Sequence, residues 1–177
     1  MTHRNVAILA AAGVAAVFSA WMVGKAFDKA PASGASALAV ERARREIRML
    51  DDLYKTAVVL VNNTYVQDES SIAAGEWARQ VFAAMKEKGW HAARLVDATG
   101  HPLNEENKPA DAFEAKAVKA LLAGESYVDE VEEREGKRFL RAMTLVPAVN
   151  QKCILCHPGH KVGDVLGGIS YSLAIEE

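Results

Sequence analysis

Residues 153–157 read Cys153-Ile154-Leu155-Cys156-His157. This is a C-x-x-C-H segment, the spacing that attaches c-type haem. Two thiols three positions apart can each add across one of the two vinyl groups of a single porphyrin, leaving thioether links. The next residue then brings an imidazole to the iron as proximal axial ligand. The chain has two cysteines in all, and the motif uses both, so none remains for a structural disulfide. Cys153 and Cys156 are read as attachment residues and His157 as the metal ligand, for one covalent haem c. Three other readings compete. A lone C-x-x-C can be a thioredoxin-like redox pair, but such a pair normally opens a helix after an early strand, and here it lies near the C-terminus. His160 completes a run of Cys153, Cys156, His157 and His160 that suggests zinc, although zinc prefers longer spacing between its Cys and His pairs. The third is two structural cysteines beside an unrelated histidine.

Working outward, the 177 residues suffice for an apolar N-terminal segment plus one domain. Apolar residues make up 50% and charged residues 25%, an ordinary globular balance. A net charge of −2 gives no basic excess, so no nucleic-acid partner is expected. Val6 to Gly24, VAILAAAGVAAVFSAWMVG, is uncharged and just long enough to span a bilayer. His3 and Arg4 precede it, which suits a cytoplasmic N-terminus, but Lys25 and Lys29 follow and weaken the bias. An uncleaved anchor is favoured over a signal peptide, because the bulky Phe18 sits where a cleavage site wants a small residue. Either way the remainder lies outside the cytoplasm, where haem c is attached. The expected place is the inner membrane, crossed once, with the haem domain in the periplasm.

Residues 1–30 are therefore read as anchor and linker, and 38–177 as the exported domain. Pro31 to Ser36, PASGAS, reads as flexible linker. Val40, Ala43, Ile47, Leu50, Tyr54, Ala57 and Val61 then repeat at spacings of three and four, a heptad-like stripe. The stripe fits first a long amphipathic helix packed on its own domain and second the seam of a parallel homodimer continuing from the anchor, and both can hold for different halves of the helix. A second helix is expected around Ser71 to Lys88, ended by Gly89, and a short strand over His91 to Val96. An irregular polar loop over His101 to Pro109 leads to a helix capped near Asp111 and stopped at Gly124. Tyr127 to Glu133 and Lys137 to Pro147 read as strands around a turn at Glu135-Gly136. After the haem loop and a glycine-rich turn, Ile169 to Ile175 alternates like a last strand. Sequential strands with short turns favour an α+β domain, an antiparallel sheet flanked by helices.

Several of these segments together resemble the PAS-like c-type haem domains long catalogued as a domain of unknown function. The likeness runs from about Ser70 to Ile175. It rests on Arg94-Leu95-Val96, on Pro102-Leu103-Asn104 with Asn107, Pro109 and Phe113-Glu114, and on Gly163-Asp164 with Gly167-Gly168-Ile169-Ser170. The resemblance implies a PAS-like antiparallel sheet, a periplasmic or lumenal location, and a sensory or redox role. Members of that family can ligate iron on the distal side through a cysteine in the second helix. The matching position here is Gly75, which has no side chain to offer.

Other residues near such a haem have plainer readings beside the functional ones. Arg94 could pair with a propionate or make a surface ion pair. His91, His101, Met49, Met85 and Met143 could each reach iron, but read first as a strand histidine, a loop histidine and core methionines. His160 is close to the proximal ligand, Tyr65 has no fixed direction, and Asp164 fits the glycine turn. No Ser/His/Asp set, phosphate loop or second metal motif is present, so no enzyme is expected. The expected role is a membrane-anchored monohaem sensor of redox state or of a diatomic gas, NO or CO. The alternative is a periplasmic electron-transfer cytochrome with a redox partner protein.

Overall fold

The computed structural model describes residues 33–67 and 72–176. The apolar stretch 6–24 lies outside the described residues, and among the described residues no helix is long and apolar enough to cross a membrane. The elements run α1 (Ser33–Tyr65), α2 (Ala74–Glu87), β1 (Ala92–Asp97), a 3-10 turn (Glu105–Asn107), α3 (Ala112–Leu122), β2 (Tyr127–Arg134), β3 (Lys137–Pro147), α4 (Gln151–Cys156) and β4 (Val165–Ala174). The four strands form one antiparallel sheet in the order β1-β4-β3-β2, so the α+β architecture is found.

The β2–β3 hairpin follows from its turn. Glu135 and Gly136 have φ of 52° and 72°, the left-handed pair that a two-residue turn needs to match the strand twist. The last strand starts at Val165, earlier than its alternating pattern suggests, and takes in Gly167 and Gly168. A Cβ on Gly167 would sit 2.1 Å from the Val96 carbonyl oxygen, so the strand passes there only as glycine. The expected linker is also shorter than read. Ser33 to Ser36 already belong to helix α1.

Alternation places two different layers on the sheet. On one face α1 and α2 cover Leu140, Ala142, Ile169, Tyr171 and Leu173. Val40, Ala43, Ile47 and Tyr54 of α1 are buried there, with Ile47 wholly enclosed. Over Val40 to Tyr54 the heptad-like stripe thus packs on the chain's own sheet. Asp51 fastens the helix to the sheet. Its carboxylate accepts from Thr144 Oγ1 at 2.6 Å and from the Tyr171 hydroxyl at 3.0 Å, and it pairs with Lys55 at 2.8 Å. Burial, reinforced by Asp51, pushes the Tyr171 hydroxyl far above the usual phenol range, so it stays a donor.

On the other face α3 packs Phe113, Ala117 and Leu121 onto Val96 and Met143. Asp111 caps α3, accepting from the Glu114 amide at 2.8 Å. Glu114 is buried and bound to Arg94, and it accepts from the Ala110 amide at 2.8 Å. Arg141, also buried, holds Asp111 at 2.9 Å and Glu132 at 3.2 Å, with its guanidinium over the Phe113 ring. Each buried charge therefore has a partner of opposite sign.

His91 sits on the α1 side, 8% exposed, with its Nε2 2.8 Å from the Tyr54 hydroxyl. Burial lowers its pKa below the ordinary histidine value, so the folded chain keeps the ring neutral. The unfolded chain binds the proton more readily, so this contribution is present above about pH 6.5 and is lost on acidification. His91→Gln should lower the urea midpoint at pH 7.5 by the equivalent of about 1 kcal/mol, the worth of a buried hydrogen bond. The gap to wild type should narrow at pH 5, as equilibrium unfolding at both pH values will show. A gap that widens on acidification would contradict the assignment.

Candidate functional site

The segment expected as a haem loop is a short helix. Asn150 is its N-cap, with Oδ1 accepting from the Lys152 amide at 3.0 Å and the Cys153 amide at 3.3 Å. Cys153 and Cys156 fall three residues apart on α4, hence on one helical face. His157 is the C-cap, its amide donating to the Cys153 carbonyl at 3.1 Å. After it the chain turns back through Gly159 and Gly163, and Asp164 accepts from the Lys161 amide at 2.9 Å. Asp164 thus organises the turn. Paired backbone bonds, Gly163 to Ala148 and Ala148 to Asp164, close the base of the excursion.

Both thiols and the His157 ring line one cavity of about 440 Å³, within the range of cofactor pockets. Val58 and Val59 of α1, Leu95 of β1 and Leu103 supply apolar wall, and Ala74 and Gly75 at the start of α2 leave room there. Gly167 and Gly168 of β4 also line it. A flat apolar macrocycle tethered at two points and ligated by one imidazole suits this donor set. Both cysteines are free thiols, as such tethering requires. Burial lowers the His157 pKa, and the nearby His160 adds to this while Asp97 opposes it. A neutral ring is the form that binds a metal. Among the described residues, no group of three or more His, Cys, Asp or Glu side chains could hold a metal ion, which weighs against the four-ligand zinc reading.

The structure brings Cys153, Cys156, His157 and Gly75 to one cavity and leaves Arg94 out of it. The Arg94 guanidinium is directed at Glu114 and at the carbonyls of Glu106 and Lys108, where it pins the polar loop to α3. The cavity-lining arginine is Arg79 instead, held by Glu76 at 3.1 Å and by Glu106. None of His91, His101, Met49, Met85, Met143 or Tyr65 lines the cavity. Met49 and Tyr65 face solvent, Met143 is enclosed under α3, and Met85 packs on the α1-side core. His160 lies to the side of His157 with ring centroids 6.5 Å apart, near Asp164. His157 is the one histidine on the cavity wall among the described residues, and no methionine joins it.

Three residues of the site escape a reading of the sequence. Asn62 is buried on α1 and donates to Asn150 Oδ1 at 3.2 Å, with Cys153 Sγ 4.0 Å away. Lys152 reaches back to carbonyls at the end of α1. Asn150 carried a signal, as a helix-capping residue ahead of the motif. Asn62 and Lys152 carried none, since their partners lie far away in sequence.

The fold is similar to that in the crystal structure of the cyanobacterial haem protein Tll0287, with a TM-score of 0.56. Identity is 12%, and the match covers 75% of this chain and 94% of that one. No curated protein matches the chain. The Tll0287-like family model matches residues 32–174, most of the chain, and the protein belongs to that family, the kind of domain that its motifs resemble.

Proposed function

We propose that this protein carries one haem c, bound through Cys153 and Cys156 with His157 as proximal ligand, and that it senses redox state or a diatomic gas at the iron. The observation that carries the reading is the convergence of Cys153, Cys156 and His157 on one apolar cavity whose wall, among the described residues, has no second histidine and no methionine. When bound, the group would be held by Cys153, Cys156 and His157 and would supply a redox-active iron able to bind a small ligand. The chain's own part is to tether the macrocycle at α4, to present a neutral imidazole, and to exclude water with Val58, Val59, Leu95 and Leu103. Kinship with a family that includes a haem protein supports the cofactor. The proposed setting is the periplasmic side of the inner membrane, tethered by residues 6–24, with binding and signalling rather than turnover as the task.

The cationic groups on the wall are already engaged. Lys55 is bound to Asp51, Arg79 to Glu76 and Glu106, and Lys152 to main-chain carbonyls. None is free to serve as a second axial ligand without breaking a contact, which favours the gas-accessible state over a six-coordinate electron carrier.

Protein matured with the c-haem attachment machinery should keep its haem on a denaturing gel, and the Cys153→Ser, Cys156→Ser double variant should lose it. A double variant that stays fully loaded under denaturation removes the basis of the reading.

Gly75 tests the distal side. A Cβ there meets only Leu95 Cδ1, at 3.2 Å, the mobile end of a flexible side chain. Gly75→Cys should therefore fold, convert the spectrum to a six-coordinate thiolate type, and slow CO association by at least about tenfold, since a ligand must then leave first. An unchanged spectrum in the folded variant would place the distal side elsewhere.

A further inference from the structure

The last carbonyls of a helix lack partners within it, and cations are favoured beside them. Helix α1 has no basic residue in its own last turn. The cation comes from α4. Lys152 Nζ donates to the Asn63 carbonyl at 2.9 Å and the Val66 carbonyl at 2.7 Å, with the Asn62 carbonyl at 3.5 Å. Beside it, Asn62 donates to Asn150 Oδ1 at 3.2 Å, and Asn150 Nδ2 donates to Asn63 Oδ1 at 3.0 Å. The same Asn150 Oδ1 caps α4 through the Lys152 and Cys153 amides; its further bond from the Cys153 thiol, at 3.6 Å, exists only before haem attachment, since a thioether has no proton to donate. One amide oxygen thus serves the start of the attachment helix and α1 together.

We propose that Asn62, Asn150 and Lys152 form a joint that positions the attachment helix and couples the placement of Cys153 and His157 to the end of α1. They are positioning residues. The six-residue α4 is too short to hold itself, and its N-terminal half is secured from outside by this joint. Helix α1 spans 33 residues, about 50 Å at 1.5 Å per residue. A shift of His157 when the iron changes ligand or oxidation state would pass through α4 to the end of this long rigid element. The joint follows from the contacts themselves. Only what moves it rests on the haem reading of the preceding section.

Lys152→Met is the informative variant, because it removes the donor to α1 and leaves the Asn150 cap, both cysteines and His157 in place. Amide hydrogen exchange on the full-length protein as isolated should speed up at least about fivefold in both 62–67 and 150–157, because the two ends open as one unit. Lys152→Arg should restore most of the protection. Faster exchange in 62–67 alone, or in neither segment, overturns the joint. If Lys152→Met does not fold, Lys152→Gln, a single donor of shorter reach, is read in the same way. In haem-loaded wild type, CO should alter exchange over 62–67, and in Lys152→Met it should not. CO that binds without changing wild-type exchange there overturns the coupling while the haem reading stands, whereas loss of the haem reading is seen separately on the denaturing gel.

Discussion

The burial of one face of α1 on the sheet sets the rest of the structure. Ile47 is fully enclosed and Tyr54 nearly so, against strand residues Leu140, Ala142, Tyr171 and Leu173. Burying such side chains is worth about 1.5–3 kcal/mol each, far more than the helix gains from its own residue preferences. Asp51 fixes the register of that contact, because its carboxylate is met by Thr144 and Tyr171 from adjacent strands. With the register fixed, Val58, Val59 and Asn62, about two to three turns further on, come to the cavity wall. The cavity is the space that α1, the start of α2 and the edge of the sheet enclose near α4.

The fold was legible where local chemistry and tertiary demand agree. Glu135-Gly136 announces a tight hairpin, and strand β3 has the bounds its pattern suggests, Lys137 to Pro147. Asp111 caps α3 where the sequence places it. Ambiguity arose where two structures share one pattern. A seam between two chains and the buried face of a single amphipathic helix both repeat at three and four residues, so the α1 stripe alone did not distinguish them. Gly167 and Gly168 read as a turn because the carbonyl of Val96, which forbids a side chain there, is remote in sequence.

The site was half legible for the same reason. Cys153, Cys156 and His157 carry their chemistry in their spacing. Arg94 has the charge that a propionate would attract, but alternation along β1 puts it on the α3 face with Val96, opposite Leu95, and there it pairs with the buried Glu114. The Asn62–Asn150 contact joins residues from separate helices that no local pattern pairs. The cavity wall that results is apolar, with one imidazole and with its cations committed elsewhere.

The central claim is that His157 is the single strong protein ligand to iron in this cavity. The absorption spectrum of the ferrous protein, recorded with and without CO, tests it most directly. The account predicts a high-spin ferrous spectrum that CO converts at once to a low-spin carbonyl form. A ferrous spectrum already low-spin, with sharp split bands unaltered by CO, would contradict it and bring the electron-carrier reading forward.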